Sequence, residues 1–557
     1  MTVINNLAFN QDYSCISIST DKYHKIFNCE PFGEFYSSIQ SAAPGDITKE
    51  GNGPSEGSKD QKSDSKGGEN VSPTMCLKML FSTSLTIIVP QSSSGSNRLL
   101  KIYNLKHNMK ICELTFPSHI LDVKLNRKRL CVVLESGQIY IYDLSCIRLI
   151  KVLEIRPFAS NDGASGAGSK EFIGALGSDD SSFLVFPLAL ISDQTDLFNS
   201  DPTGTGSGTS TSPSSSFTGN TNSGMKSQSA KLPELDPRSV WELCLELIPD
   251  EMLKKGFTSQ DLQKNTEGWT IVYDTMNLTP RLIFKAHNSH LAKIAITNDS
   301  SIIATASTKG TILRAFHIES GDPGAQEGDD ASKPAAAPLR VSKIVNLRRG
   351  HNPVRIHSLS FSLDNQVLGC GSERNTLHFF ALSDDSGIAS KRQDDSSASS
   401  DHEEQGKSSE GLNENLANLL ISKAPADSSS SSQQPSYRHY LPSIKKMVES
   451  NNYTKSLVKN LPYKNYFDNL ILEPPRRSFA YIRLPDDPSH KNMSAHTSNK
   501  NKVELGLVSK SKTDLLILVA SYKSGLFHQY ALPKIPSQEE HAESRHSCPH
   551  IATYSLV

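Results

Sequence analysis

The residues with the most chemical content in this 557-residue chain are Arg348 and Arg349, in the run Leu347-Arg348-Arg349-Gly350. Both guanidiniums are permanent cations, and each presents a fork of N–H donors that matches the oxygens of a phosphate. On a β-strand, neighbouring side chains leave on opposite faces. One dipeptide can therefore supply a cation to each of two separate anion sites. A basic pair on a solvated loop is the plainer reading of the same two residues, and the surroundings decide between them.

The arginines lie between two copies of one β-rich unit. The first copy runs through 294–299, 302–306, Ser307, Lys309-Gly310-Thr311 and 312–316. The second runs through 359–364, 367–371, Ser372, Arg374-Asn375-Thr376 and 377–380. Each reads as three short strands joined by tight turns, one at an Asp and one at Lys-Gly or Arg-Asn. A fourth strand from the connection completes a propeller blade. Ser307 aligns with Ser372, and Thr311 with Thr376, so each copy carries Ser-x3-Thr beside a cation. Repeated on both sides of the arginines, the pattern describes two similar anion pockets.

Strand-like stretches recur along the rest of the chain. The expected blades are 4–36, 75–105, 111–153, 172–273 (interrupted by 191–268), 282–318, 340–381 and 477–533. Residues 551–556 are expected to pair beside the N-terminal strand, because a circular fold must join its ends or leave two edges unpaired. The expectation is one all-β domain over 1–557, a seven-bladed β-propeller with long disordered insertions. The insertions 37–73, 156–170, 195–235, 319–338 and 382–436 are Gly-, Ser- and charge-rich without apolar periodicity and read as disordered loops. Trp241 to Lys255 reads as helix-like, with Leu243, Leu247 and Leu253 on a rough stripe. Residues 437–472 differ from the other insertions. There Ile444, Met447, Val448 and Leu457 are interleaved with Lys445, Lys446, Lys455 and Lys459, a cationic amphipathic pattern. Such a segment can lie in a bilayer interface; it also suits a helix packed on the propeller, or a peptide that binds a partner.

These residues resemble the PROPPIN family, whose hallmark Phe-Arg-Arg-Gly stands here as Leu-Arg-Arg-Gly. Leucine keeps the apolar anchor. Phe9-Asn10-Gln11, the stretch 26–33, the stretch 79–85, and 125–131 with 138–143 extend the likeness over most of the ordered chain. The resemblance implies a seven-bladed propeller that binds phosphatidylinositol 3-phosphate and the 3,5-bisphosphate at two rim sites. Carried over by position, the first site takes His287, Ser307, Thr311, Arg314 and Arg348. The second takes Arg349, Ser372, Arg374, Thr376 and His378, with Arg355 as a further cation near the motif. The resemblance also places a membrane-inserting loop in the sixth blade, where 437–472 falls. It implies recruitment of the machinery that lipidates the ubiquitin-like autophagy protein, serving autophagy and cytoplasm-to-vacuole targeting. The expected location is the cytoplasm, and peripherally vacuolar, endosomal and pre-autophagosomal membranes. The basic stretch Arg127, Lys128 and Arg129 is a candidate surface for the coiled-coil subunit of the autophagy conjugation complex; a solvated charged face is the alternative. The competing functional reading is a protein-interaction propeller whose arginine pair contacts an acidic peptide.

Composition narrows the classes further. The formal net charge is −1, so global attraction to nucleic acid is not expected and anion binding has to come from a local patch. Nine scattered cysteines without a CxxC pair argue against a zinc site or a disulfide framework and fit reduced core thiols. No P-loop, HExxH or GxSxG motif occurs, so no enzyme, cofactor or metal is expected. The chain begins in a strand pattern without a signal-peptide pattern. No apolar run of about 18 residues is found, so membrane contact is expected to be peripheral.

Overall fold

Seven sheets follow one another along the chain. The computed structural model describes residues 2–39, 72–92, 95, 97–158, 171–193, 195–198, 238–253, 256–320, 338–382, 475–485, 502–509, 514–535 and 546–557. The segment 437–472, with Ile444, Met447, Val448 and Leu457, and nearly all of the expected loops lie outside them. The sheets form a seven-bladed β-propeller. Each first strand faces the centre, and the first strands of successive blades contact one another. The second strands are covered by neighbouring blades on both faces, which explains their composition. Arg129–Leu134, Ile302–Ser307 and Val367–Ser372 are buried at every position and, Arg129 apart, are built from aliphatic and small residues. The outermost strands, such as Met109–Thr115, are the exposed ones.

Each blade takes its fourth strand from the connection that follows its third, which moves several boundaries. Met109–Thr115 completes blade two, Thr279–Lys285 blade four, Leu339–Arg348 blade five and Ala480–Arg483 blade six. The sequence-based limits had opened blades three, five, six and seven with these stretches. Alternation identifies a strand and its faces but not the sheet that owns it. The helix-like stretch is only partly α-helical, with a short 3-10 turn at Asp250–Met252, and a further helix lies beyond its expected end. An α-helix covers Val240–Glu246, capped by Ser239 and Glu242, and a second covers Ser259–Lys264. Trp241 and Cys244 bury the first helix against blade four, and Leu247 and Leu253 of the expected leucine stripe pack, partly buried, against the same core.

The ring closes differently from expectation. His550–Ser555 pairs with Leu526–Leu532 as the outer strand of blade seven, not with the N-terminal strand. The seam to blade one is made by side chains instead. Tyr522 Oη accepts from the Leu7 amide at 3.0 Å, and Gln529 Nε2 donates to the Cys29 carbonyl at 2.8 Å. Phe32 stacks on Tyr554 with ring centres 4.2 Å apart.

Two short straps stitch the outer rim. Arg476–Arg477 pairs in parallel with the outer strand of blade five before the chain continues into blade six. His546–Ser547 pairs in parallel with Ala480–Arg483 of blade six before the chain continues into blade seven.

At the centre lies a cavity of about 390 Å³ lined by residues of the first strands, including Lys78, Asp122, Lys124, Lys293, Lys502 and Glu504, together with Glu171. Glu171 pairs with Lys293 at 3.2 Å, Lys502 at 3.7 Å and Arg355 at 3.8 Å, and so ties blades four to seven together. Burial works against its charge, but Lys293 and Lys502 outweigh that and hold its carboxyl down to about 2. No helix among the described residues is long and apolar enough to cross a membrane.

Candidate functional site

The two repeats carry corresponding turns. In the first, Asp299 accepts from Thr297 Oγ1 at 2.6 Å and from the Ser301 amide at 3.1 Å. In the second, Asp364 accepts from Ser362 Oγ at 2.5 Å and from the Gln366 amide at 3.1 Å. The second turn of each copy has a left-handed residue, Gly310 at φ 56° and Asn375 at φ 54°. Glycine is required at the first of these. A Cβ on Gly310 would lie 2.0 Å from the Val354 carbonyl oxygen, on the loop that follows the arginines.

The register of blade five separates the arginines. Leu339–Arg348 runs antiparallel to Ile312–Ser320, with Arg348 opposite Ile312, Leu347 opposite Leu313 and Arg314 opposite Asn346. Leu347 is fully buried with Leu313, Ala315, Leu368, Cys370 and Phe380, in the core between blades five and six. Leucine therefore does serve as the apolar anchor. Arg349 follows on that same side. Its Nε donates to the Gly310 carbonyl at 2.7 Å and its Nη2 to the Asn352 carbonyl. Burial, partly offset by Cys370, lowers the Arg349 pKa, and the Arg374 charge lowers it further. Arg348 shares the opposite face with Arg314 and Asn346.

On that opposite face a preorganised cluster forms. Arg314 donates through Nε to Asn346 Oδ1 at 3.1 Å, and through Nη1 to the Ala286 carbonyl at 2.6 Å and His287 Nδ1 at 3.0 Å. A guanidinium only donates, so Nδ1 of His287 is an acceptor and Nε2 carries the proton toward Thr305 Oγ1, 3.0 Å away. Burial first, and Arg314 second, lower the His287 pKa to about 3. His287 is thus a neutral positioning residue for Arg314, not a phosphate-binding cation. Ser307 is buried two residues beyond Thr305 on the same strand face. The Thr311 carbonyl accepts from the Arg349 amide at 3.0 Å and fixes the start of the loop.

Blade six presents the second group toward blade five. His378 lies opposite Cys370, and Thr376 opposite Arg483. Ser372 Oγ donates to the Thr376 carbonyl at 3.2 Å, and Thr376 Oγ1 to the Arg374 carbonyl at 3.3 Å. His378 Nδ1 lies 3.2 Å from Ser478 Oγ. Among the described residues, no carboxylate pairs with Lys309, Arg348, Arg349 or Arg374.

The PROPPIN family model matches residues 35–229. The chain is 51% identical over 574 residues to Autophagy-related protein 21 of Debaryomyces hansenii, covering 100% of both. The chain belongs to the PROPPIN family. It is also similar to Autophagy-related protein 21 of Candida albicans, at 44% identity over 571 residues and 100% of both chains. The solved structure of KlAtg21 with the coiled-coil of AgAtg16 matches with TM-score 0.50 at 19% identity over 100% of both chains, which shows the shared fold.

Other expected site residues of this PROPPIN fall elsewhere. Arg355 pairs with Glu171 in the cluster at the central cavity. Arg129 is buried; its Nε donates to the Thr275 carbonyl at 3.0 Å and its Nη1 lies 3.7 Å from Asp143, so it is a structural residue rather than part of a docking surface. Arg127 stacks over Phe81 at 3.9 Å, and Lys128 pairs with Asp180 at 3.6 Å. These two remain at the surface. Sequence reading passed over Arg476 and Arg477, which the strap brings to the edge of blade five. The only signal was a second Arg-Arg dipeptide just before a strand.

Proposed function

We propose that this PROPPIN is a peripheral phosphoinositide effector that binds phosphatidylinositol 3-phosphate and phosphatidylinositol 3,5-bisphosphate through two rim sites. The observation that carries the reading is the division of Arg348 and Arg349 between two faces, Arg348 on the face of Arg314 and Arg349 within reach of the Arg374 charge. The first site comprises Ser307, Thr311, Arg314 and Arg348, with His287 holding Arg314. The second comprises Arg349, Ser372, Arg374, Thr376 and His378. A phosphomonoester accepts several charge-assisted hydrogen bonds, each contributing roughly 1.5–3 kcal/mol. Two sites on one bilayer then reinforce each other through effective concentration. Segment 437–472, through Ile444, Met447, Val448 and Leu457, would add interfacial contact.

At the membrane the protein would recruit the autophagy conjugation machinery, through its coiled-coil subunit and the ubiquitin-like protein, for autophagy and cytoplasm-to-vacuole targeting. The relative KlAtg21 was solved with the coiled-coil of AgAtg16, and Arg127 and Lys128 offer a basic surface for a coiled-coil here. The locations proposed are the cytoplasm and vacuolar, endosomal and pre-autophagosomal membranes. Vesicle flotation with and without the 3-phosphoinositide tests the reading. Arg348→Thr with Arg349→Thr should leave the protein folded, with a cooperative unfolding transition, and abolish flotation. Lipid-independent binding, or loss of folding in the double variant, would refute it and favour an acidic peptide ligand or a structural role.

A further inference from the structure

The chain re-enters the propeller at 475–485 on blade five, although these residues complete blade six. Arg476 pairs with Leu347 and Arg477 with Arg348, in parallel. Residues directly opposite on adjacent strands project from the same face. Arg477 therefore stands beside Arg348 on the face that carries Arg314 and Asn346. Arg476 takes the side of Leu347. The second arginine pair thus repeats the division made by the first.

Like charges opposite each other on neighbouring strands repel. Here nothing described compensates them: neither Arg348 nor Arg477 has a side-chain hydrogen bond or ion pair to a described residue. The juxtaposition is imposed by anchors just beyond it. Ser478 is buried with its Oγ 3.2 Å from His378 Nδ1, and the amide of buried Phe479 donates to the Phe379 carbonyl at 3.0 Å. Ala480–Arg483 then pairs fully with blade six. These contacts fix Arg477 without using its side chain, so the guanidinium is left for a ligand.

We propose that Arg477 is a binding residue of the blade-five anion site, taking a phosphate of an inositol headgroup jointly with Arg348. The inference rests on the phosphoinositide reading and deepens it. A phosphate oxygen between two guanidinium forks removes their repulsion and uses donors on both. It also means that the stretch leaving the long insertion ends in the binding site itself.

The test is made in an Arg349→Gln background, where only the blade-five site is read. Binding of soluble dibutanoyl phosphatidylinositol 3-phosphate is titrated, with inorganic phosphate as a parallel probe and vesicle flotation as a second readout. Arg477→Gln should weaken headgroup binding about tenfold, the loss of one charge-assisted contact. Arg340→Gln, at the far end of the same strand, removes equal charge and should have little effect. If Arg477→Gln matches Arg340→Gln while Arg348→Gln abolishes binding, this inference alone is overturned. If Arg348→Gln is also silent, the phosphoinositide reading itself fails. Should Arg477→Gln lower the melting temperature, Arg477→Lys decides: weaker binding at unchanged melting temperature supports a role for the fork, and wild-type binding overturns it. Inorganic phosphate binding as tightly as the headgroup would overturn the headgroup assignment.

Discussion

His287 offers a sharp check on the blade-five cluster, because its proton state is written into the hydrogen bonds. Nδ1 can accept from Arg314 only while the ring is neutral. Its pKa is lowered to about 3 in the folded protein, against an ordinary value of 6.5. The unfolded chain therefore binds the extra proton first as pH falls. The contribution to stability is complete above about pH 6.5 and is lost progressively between there and about pH 3. From pH 7.5 to pH 5, a shift from 6.5 to about 3 removes about 2 kcal/mol. His287→Asn can place an amide oxygen near the Nδ1 position, keeping the Arg314 contact without a titrating ring. Its stability should therefore fall about 2 kcal/mol less over the same interval, measured by denaturant unfolding at each pH. His24 and His357 are also lowered, each to about 4, but they contribute equally to both proteins and cancel in the comparison. At pH 7.5 the variant should bind 3-phosphoinositide vesicles like the wild type. Parallel pH–stability curves for the two proteins would refute the neutral-acceptor assignment.

Three further outcomes follow from the same geometry. Glu171→Gln leaves Lys293, Lys502 and Arg355 without their shared carboxylate; because the side chain is still 39% exposed, screening limits the loss to about 1–2 kcal/mol, read as a lower unfolding midpoint at neutral pH that converges with wild type as pH falls from 4.5 toward 2. Gly310→Ala drives a Cβ toward the Val354 carbonyl in a left-handed backbone and should cost about 1–3 kcal/mol, while weakening the blade-six site because Arg349 bonds to the Gly310 carbonyl; differential scanning calorimetry and headgroup titration check both effects. Replacing Ile444, Met447, Val448 and Leu457 with Ser should keep headgroup affinity but shorten residence on vesicles, and an unchanged stopped-flow dissociation rate would assign the segment to a protein partner.

Much of the site was legible because it depends on alternation and repetition. Strand parity put Arg348 and Arg349 on opposite faces, and the aligned Ser and Thr residues marked the matched turns. The anchor role of Leu347 came from the family resemblance, not from parity. Parity could not assign a fourth strand to its sheet, since Leu339–Arg348 alternates equally well at the end of blade five or the start of blade six. Nor does the charge of Arg129 reveal that carbonyls and Asp143 receive it inside the fold. The role of His287 needed the position of Arg314, and Arg477 needed a register between segments separated by the longest insertion.

The two straps give the rim a mechanical character. Blades five, six and seven are joined along their outer edges by backbone hydrogen bonds, whereas blades seven and one meet through side chains. The arc bearing both anion sites is thus a stiffened hoop, and the seam is its compliant joint. Thermal breathing should concentrate at the seam, with the distance between the two sites held nearly constant. A headgroup captured at one site would then meet the other at a set spacing, with little slack to lose as the second bond forms.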